Sequence, residues 1–84
     1  MQSFYHFHKG AQIPDYTINA WVKECISKVS SGHPHYGISS GDTSVIALKY
    51  ETEIQVHVAN DSGRSTIRFG HDDSLTFSPY VRPT

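Results

Sequence analysis

The chain has 84 residues, of which 37% are hydrophobic and 18% charged, and its formal net charge is −1. This length allows one domain with one core, and the aromatic content predicts a folded rather than a disordered chain. A near-neutral charge without a basic run disfavours nucleic-acid binding, and a single cysteine excludes an internal disulfide. No stretch approaches the about 20 apolar residues that span a bilayer, and residues 1–6 do not have the pattern of a signal peptide, so we expect a cytoplasmic protein.

The first predicted elements are a strand and a helix. Residues 3–8 are rich in aromatic side chains and predict a strand. Apolar residues then recur with a period of about 3.6, which predicts an amphipathic helix with one buried stripe. The stripe consists of Ile18, Trp21, Val22, Cys25, Ile26 and Val29. We expect Asp15 or Thr17 to cap the N-terminus of this helix and Gly32 to end it.

After the helix the hydrophobic period changes to two. Glycine, proline and serine make residues 33–42 a predicted loop, with a short strand around residues 36–38. Alternation of apolar and polar side chains then predicts an antiparallel sheet with one covered face. The predicted strands are residues 44–50, 54–59, 66–70 and 75–77. Residues 60–64 have the composition of a hairpin turn.

These elements predict a single α+β domain over residues 1–84, with a flexible tail at residues 80–84. One amphipathic helix packs on a four- to five-stranded antiparallel sheet, in the order β-α-β-β-β-β. Trp21 is expected near the centre of the core, facing Ile54, Val56, Val58, Ile67, Phe69, Leu75 and Phe77. This order is similar to that of cystatin- and monellin-like folds, in which a strand, a helix and a meander form a grip. The resemblance is one of topology, which implies no particular function.

Histidine is the residue type that stands out, because 6 occur and four of them form two His-x-His pairs. Residues two apart on a strand share a face, so His6 and His8, together with His33 and His35, offer a possible set of Zn²⁺ ligands. This predicts, as the alternative function, a His-ligated metal or small-ligand binding protein. Histidine also titrates near pH 6.5, so pH-dependent binding is a further hypothesis.

Catalysis is not expected from this sequence. Ser39 or Ser40, with His33 or His35 and Asp42, supply the residue types of a catalytic triad. A triad also needs an orienting buried carboxylate and an oxyanion hole, which a serine- and glycine-rich loop in so short a chain does not supply. Cys25 lies on the buried stripe and is expected to act as a small apolar residue. We predict no enzyme activity and no cofactor.

The leading hypothesis is a small non-catalytic module that binds another protein. An inhibitor, antagonist or immunity-type protein of bacterial or phage origin fits the small size best. Binding residues concentrate on connections held by a scaffold. The predicted contact residues are His33, His35, Tyr36, Arg64 and Arg68. An exposed edge strand, either residues 3–8 or residues 75–77, would also permit a homodimer.

Overall fold

The computed structural model describes residues 7–70 and 79–82, in which one helix is followed by four strands. The helix α1 spans Asp15–Ser30, and the strands β1 to β4 span His35–Ser40, Thr43–Lys49, Glu53–Asn60 and Gly63–Gly70. Each strand pairs antiparallel with the next, so the sheet order is β1-β2-β3-β4. The α+β class, with one helix on an antiparallel sheet, is therefore confirmed.

Both outermost predicted strands fall largely outside the described residues. Residues 75–77 and residues 3–6 are not described, whereas Phe7 and His8 are described and are not in a strand. The predicted first strand, on which the similarity to cystatin-like topology depends, is thus not part of the described fold.

The helix buries the predicted stripe. All six of its apolar residues are at most 8% exposed, and Trp21 in their middle meets Phe7 edge to face with 6.2 Å between the ring centroids. The predicted cap is wrong, because Pro14 is the N-cap residue and no side chain caps the helix. Instead, the Pro14 carbonyl accepts hydrogen bonds from the N–H groups of Thr17 and Ile18. Gly32, at φ 126°, directly follows the C-cap residue, as expected.

The predicted loop at residues 33–42 is wrong in its extent, because most of it is β1. Residues of low strand propensity, such as Gly37 and Ser39, are held there by pairing with β2, and Ile38 is buried beneath the helix. Pairing and burial commonly override strand propensity. The hairpin turns at Gly41 and Asp42, where Gly41 has φ 59°. A glycine at the first central position of a two-residue turn is typical of type II′ hairpins.

The core lies between α1 and one face of the sheet. Trp21 is completely buried there, as predicted. The sheet residues buried against the helix side are Ile38, Val45, Ala47, Ile54, Val56, Val58 and Phe69. Ile67 is partly buried against this core, and the expected contributions of Leu75 and Phe77 lie outside the described residues.

Residues 79–82, which we call the clasp segment, return to the N-terminal end of α1. Tyr80 is 4% exposed, and its backbone exchanges hydrogen bonds with the Asn19 side chain. Its hydroxyl accepts a hydrogen bond from Asn60 at 3.0 Å. Arg82 forms an ion pair with Asp15 at 2.9 Å. The tail predicted at residues 80–84 therefore differs from the structure at Tyr80 and Arg82, while residues 83 and 84 lie outside the described residues.

Candidate functional site

The sheet has a second face, which we call the outer face, on the side opposite α1. Along every strand the buried residues alternate with more exposed ones, and the register aligns the exposed sets of neighbouring strands. The outer-face residues are His35, Gly37, Ser39, Ser44, Ile46, Leu48, Glu53, Gln55, His57, Ala59, Arg64, Thr66, Arg68 and Gly70. Among the described elements only α1 packs on the sheet, and it covers the opposite face.

The centre of the outer face is apolar. Ile46 is 40% exposed and lies in a cross-strand row between Gly37 and His57. Gly37 has no side chain to cover it, which leaves Ile46 open to a partner. On its other side, the His57 Nδ1 lies 3.1 Å from the Thr66 hydroxyl. Leu48, half-buried in the next row, extends the apolar area.

The margin of the outer face is cationic. Arg64 and Arg68 are exposed on β4, and neither forms a hydrogen bond or an ion pair with a described residue. The one carboxylate among the outer-face residues, Glu53, accepts a hydrogen bond from Gln55 at 2.6 Å. His35 lies at the opposite edge, in the row that runs through Leu48 and Gln55 to Arg68.

The structure divides the predicted contact residues between two places. His35, Arg64 and Arg68 lie on the outer face, whereas His33 and Tyr36 do not. The Tyr36 hydroxyl donates to Glu24 at 3.3 Å on the helix side. The His33 ring lies tilted beside the Tyr36 ring, with 6.0 Å between the two ring centroids. Burial raises the pKa of Tyr36, and the Glu24 carboxylate raises it further.

Sequence reasoning missed the central residues Ile46, Leu48 and His57. In β2 both alternating sets contain apolar residues, since Ile46 and Leu48 point to one face of the strand and Val45 and Ala47 to the other. The pattern therefore shows that a strand is present without deciding which set is buried. The helix settles this by packing on Val45 and Ala47.

The described histidines do not assemble into the alternative metal site. The Phe7 N–H donates at 3.3 Å to the hydroxyl of Ser40, the last residue of β1. The neighbouring His8 therefore lies near that end of the strand. His35 is the first residue of this strand, five extended residues or about 17 Å from Ser40. No group of three potential ligands close enough for a metal ion occurs within residues 7–70 and 79–82. His6 lies outside the described residues.

The residues considered for a catalytic triad are not brought together either. Ser39 and His35 lie four residues apart on β1, which separates them by about 13 Å. The Ser40 hydroxyl accepts the Phe7 N–H. Burial raises the pKa of Cys25 to about 12, so its thiol stays protonated and it acts as an apolar core residue, as predicted.

The Asp42 carboxylate has a structural role, because its hydrogen bonds connect separate parts of the fold. Its Oδ1 accepts hydrogen bonds from the Thr43 hydroxyl at 2.7 Å and from the Ile13 N–H at 3.3 Å, and its Oδ2 accepts the Asp61 N–H at 3.5 Å. Partial burial raises the pKa of this carboxyl, but the three hydrogen bonds and the nearby Arg82 outweigh it and hold the pKa below its ordinary value. Asp42 thus joins the residues before α1 to the β1–β2 and β3–β4 hairpin turns.

Replacement of Asp42 should destabilise the fold in a pH-dependent way. Asp42→Ala leaves the buried Thr43 hydroxyl without this acceptor, which costs about 2 to 3 kcal/mol. Because folding lowers the pKa of this carboxyl, the stabilisation is fully present above the ordinary aspartate pKa and is lost as pH falls through the folded-state pKa. Denaturant unfolding between pH 2 and pH 7 should show a shallower acid decline for Asp42→Asn than for the wild type. Identical declines would contradict this role.

Comparison with known proteins gives no relative from which a function could be carried over. No family model, curated protein or solved structure matches the chain. Within the described part of the chain, α1 is too short and too polar to cross a membrane. The outer face is therefore the feature of the molecule that indicates a function.

Proposed function

We propose that this protein is a non-catalytic binding module that docks a partner protein on its outer face and acts as an inhibitor or antagonist of that partner. The observation that supports the proposal is Ile46, 40% exposed at the centre of a paired sheet. Hydrogen-bonding and cationic side chains surround it. An apolar centre with a polar margin that contains arginine is the usual anatomy of a protein interface.

The size of the surface indicates how far the contact extends. Four strands of six to eight residues present a face of about 400 to 500 Å², roughly half of the about 800 Å² that one partner contributes to a standard interface. Tyr50 is 47% exposed in the β2–β3 connection, next to Glu53 at the end of the face. We expect the contact to include Tyr50, because tyrosine combines a large rigid area with a polar tip.

Two other functions have less support. Single-stranded nucleic acids bind sheets through stacked aromatic side chains, and the outer face contains no Phe, Trp or Tyr. The edge strands predicted for a homodimer, residues 3–8 and 75–77, lie largely outside the described residues. A homodimer remains a prediction that sedimentation would test.

An affinity-capture experiment with matched variants tests the proposal. The bait is the wild-type chain, Ile46→Asn or Tyr16→Asn, since Tyr16 is 78% exposed on the helix side. We expect the wild type and Tyr16→Asn to retain the same protein, and Ile46→Asn to bind it at least about tenfold more weakly, equivalent to about 1.4 kcal/mol. Thermal melts of all three should agree within a few degrees.

Two results would overturn the proposal. Equal retention by Ile46→Asn would place the contact off the outer face. A sedimentation mass of twice the monomer that depends on Ile46 would make a second copy of the chain the occupant instead of a different protein.

A further inference from the structure

We infer that the partner presents carboxylates to the outer face, as an acidic protein surface with an apolar residue to one side of its charges. This inference rests on the proposed function and adds the chemistry of the partner. It follows from the charges of the outer face, from the spacing of its two arginines and from the position of Ile46 to one side of them.

The described side chains of the outer face have a local excess of positive charge. The whole chain has a net charge of −1, yet Arg64 and Arg68 are the exposed charges at the margin of the outer face, and Glu53 is already hydrogen-bonded. Two other described carboxylates have their contacts away from the outer face. Asp15 on α1 pairs with Arg82, and Asp42 in the β1–β2 turn accepts a hydrogen bond from Thr43. A partner that approaches the outer face therefore meets cationic groups that no described residue neutralises.

The spacing of these groups defines a pattern. Arg64 and Arg68 are four residues apart on one face of β4, a distance of about 13 Å. The cross-strand row of Ile46 runs through Thr66, midway between them, and Ile46 lies two strands away, about 10 Å to the side. A guanidinium group presents a planar fork that matches a carboxylate in two hydrogen bonds. The complementary surface thus has two carboxylates about 13 Å apart, with an apolar side chain beside their midpoint.

Phosphate polymers fit this surface less well. Binding to nucleic acids gains most of its affinity from many cation–phosphate contacts and, for single strands, from base stacking. The outer face provides two arginines and no Phe, Trp or Tyr. An acidic protein surface needs only a few matched ion pairs around an apolar contact, and this is what the outer face offers.

The inference is tested by NMR titration of the ¹⁵N-labelled full chain with three probes. The first is a peptide of about eight residues that has two glutamates four positions apart, since four extended residues span about 13 Å. The second has glutamine at both glutamate positions, and the third is a short single-stranded DNA. We expect shifts around Arg64, Thr66 and Arg68 with the glutamate peptide, and at least about fivefold weaker binding of the glutamine peptide. An increase in salt from about 0.1 to about 1 M shortens the Debye length from about 10 to about 3 Å and should remove the difference.

Charge-matched variants provide the control. Arg64→Gln with Arg68→Gln should abolish the preference for glutamate, whereas Lys9→Gln with Lys23→Gln removes equal charge outside the outer face and should leave it unchanged. Equal binding of both peptides, tighter binding of DNA, or shifts away from the outer face would overturn the inference. In that case, protein capture that still depends on Ile46 would leave the proposed function standing with a partner that is not acidic.

Discussion

Trp21→Ala should cost about 3 to 5 kcal/mol of unfolding free energy, the largest loss expected from one side-chain truncation in this chain. The Trp21 side chain is fully buried and fills the space between the helix stripe and the sheet, in contact with the Phe7 ring. A domain of this length has a stability of about 4 to 13 kcal/mol, so the variant would lose a large part of it. Thermal unfolding followed by circular dichroism should show a decrease of about 12 °C or more.

Two variants separate this effect from general effects on the helix. Tyr16→Ala removes an aromatic ring from the same helix at a position that is 78% exposed, and it should change stability by less than about 0.5 kcal/mol. Trp21→Phe keeps a ring near Phe7 and should lie between alanine and the wild type. Equal effects of Trp21→Ala and Tyr16→Ala would mean that Trp21 is not at the centre of the core.

Gly41→Ala is expected to cost about 2 to 5 kcal/mol, for two separable reasons. Gly41 has φ 59°, which costs an L-residue about 1 to 2 kcal/mol. Its Cβ would also lie 2.6 Å from the Ala11 carbonyl oxygen and from the Ile13 Cδ1, and forced packing of this kind costs about 1 to 3 kcal/mol. Ile13 is fully buried and cannot swing aside. Urea unfolding at neutral pH measures the sum.

Two other glycines resolve the two contributions. Gly10 has φ 82° with nothing within 4 Å of an added Cβ, so Gly10→Ala should show the backbone cost alone. Gly37 has an ordinary backbone and a nearest contact of 3.4 Å, so Gly37→Ala should be neutral or stabilising by up to about 1 kcal/mol. If Gly41→Ala costs no more than Gly10→Ala, the close approach of residues 11–13 to the hairpin is not a packing constraint.

Period and composition predict much of the fold because local patterns report burial directly. The six-residue helix stripe and the inward set of β3 are buried as the spacing requires. The pattern is less informative where long-range pairing decides the structure. His35–Ser40 has the composition of a loop and becomes a strand because β2 aligns it. Pro14 holds the N-cap position in place of the expected Asp15 or Thr17, and the Asp15 carboxylate is instead paired with Arg82, 67 residues away.

The candidate site was predictable only in part, for a geometric reason. Arg64 and Arg68 share a face because residues four apart on a strand always do. The presence of His35 in the same row as Arg68 depends on the register across three strand pairs, which no local pattern contains. Tyr36 lies on the helix side because it directly follows His35 and successive strand residues point in opposite directions. His33 precedes β1, so alternation does not place it, and its ring lies near that of Tyr36.

The clasp segment has a consequence for the order of folding. Each hairpin closes a short loop between neighbouring strands, whereas the bonds from the clasp segment to residues 13–19 join residues 61 to 69 positions apart, from Asn19–Tyr80 to Ile13–Arg82. The entropy of loop closure increases with the length of the enclosed chain, so contacts distant in sequence tend to form after local ones. The meander can thus assemble before the clasp segment is bonded to the helix end, and we expect unfolding to begin with the loss of the same bonds. Opening at this end would release Tyr80 from Asn19 while the strand pairs stay intact, so we expect local unfolding to begin there and not at the outer face.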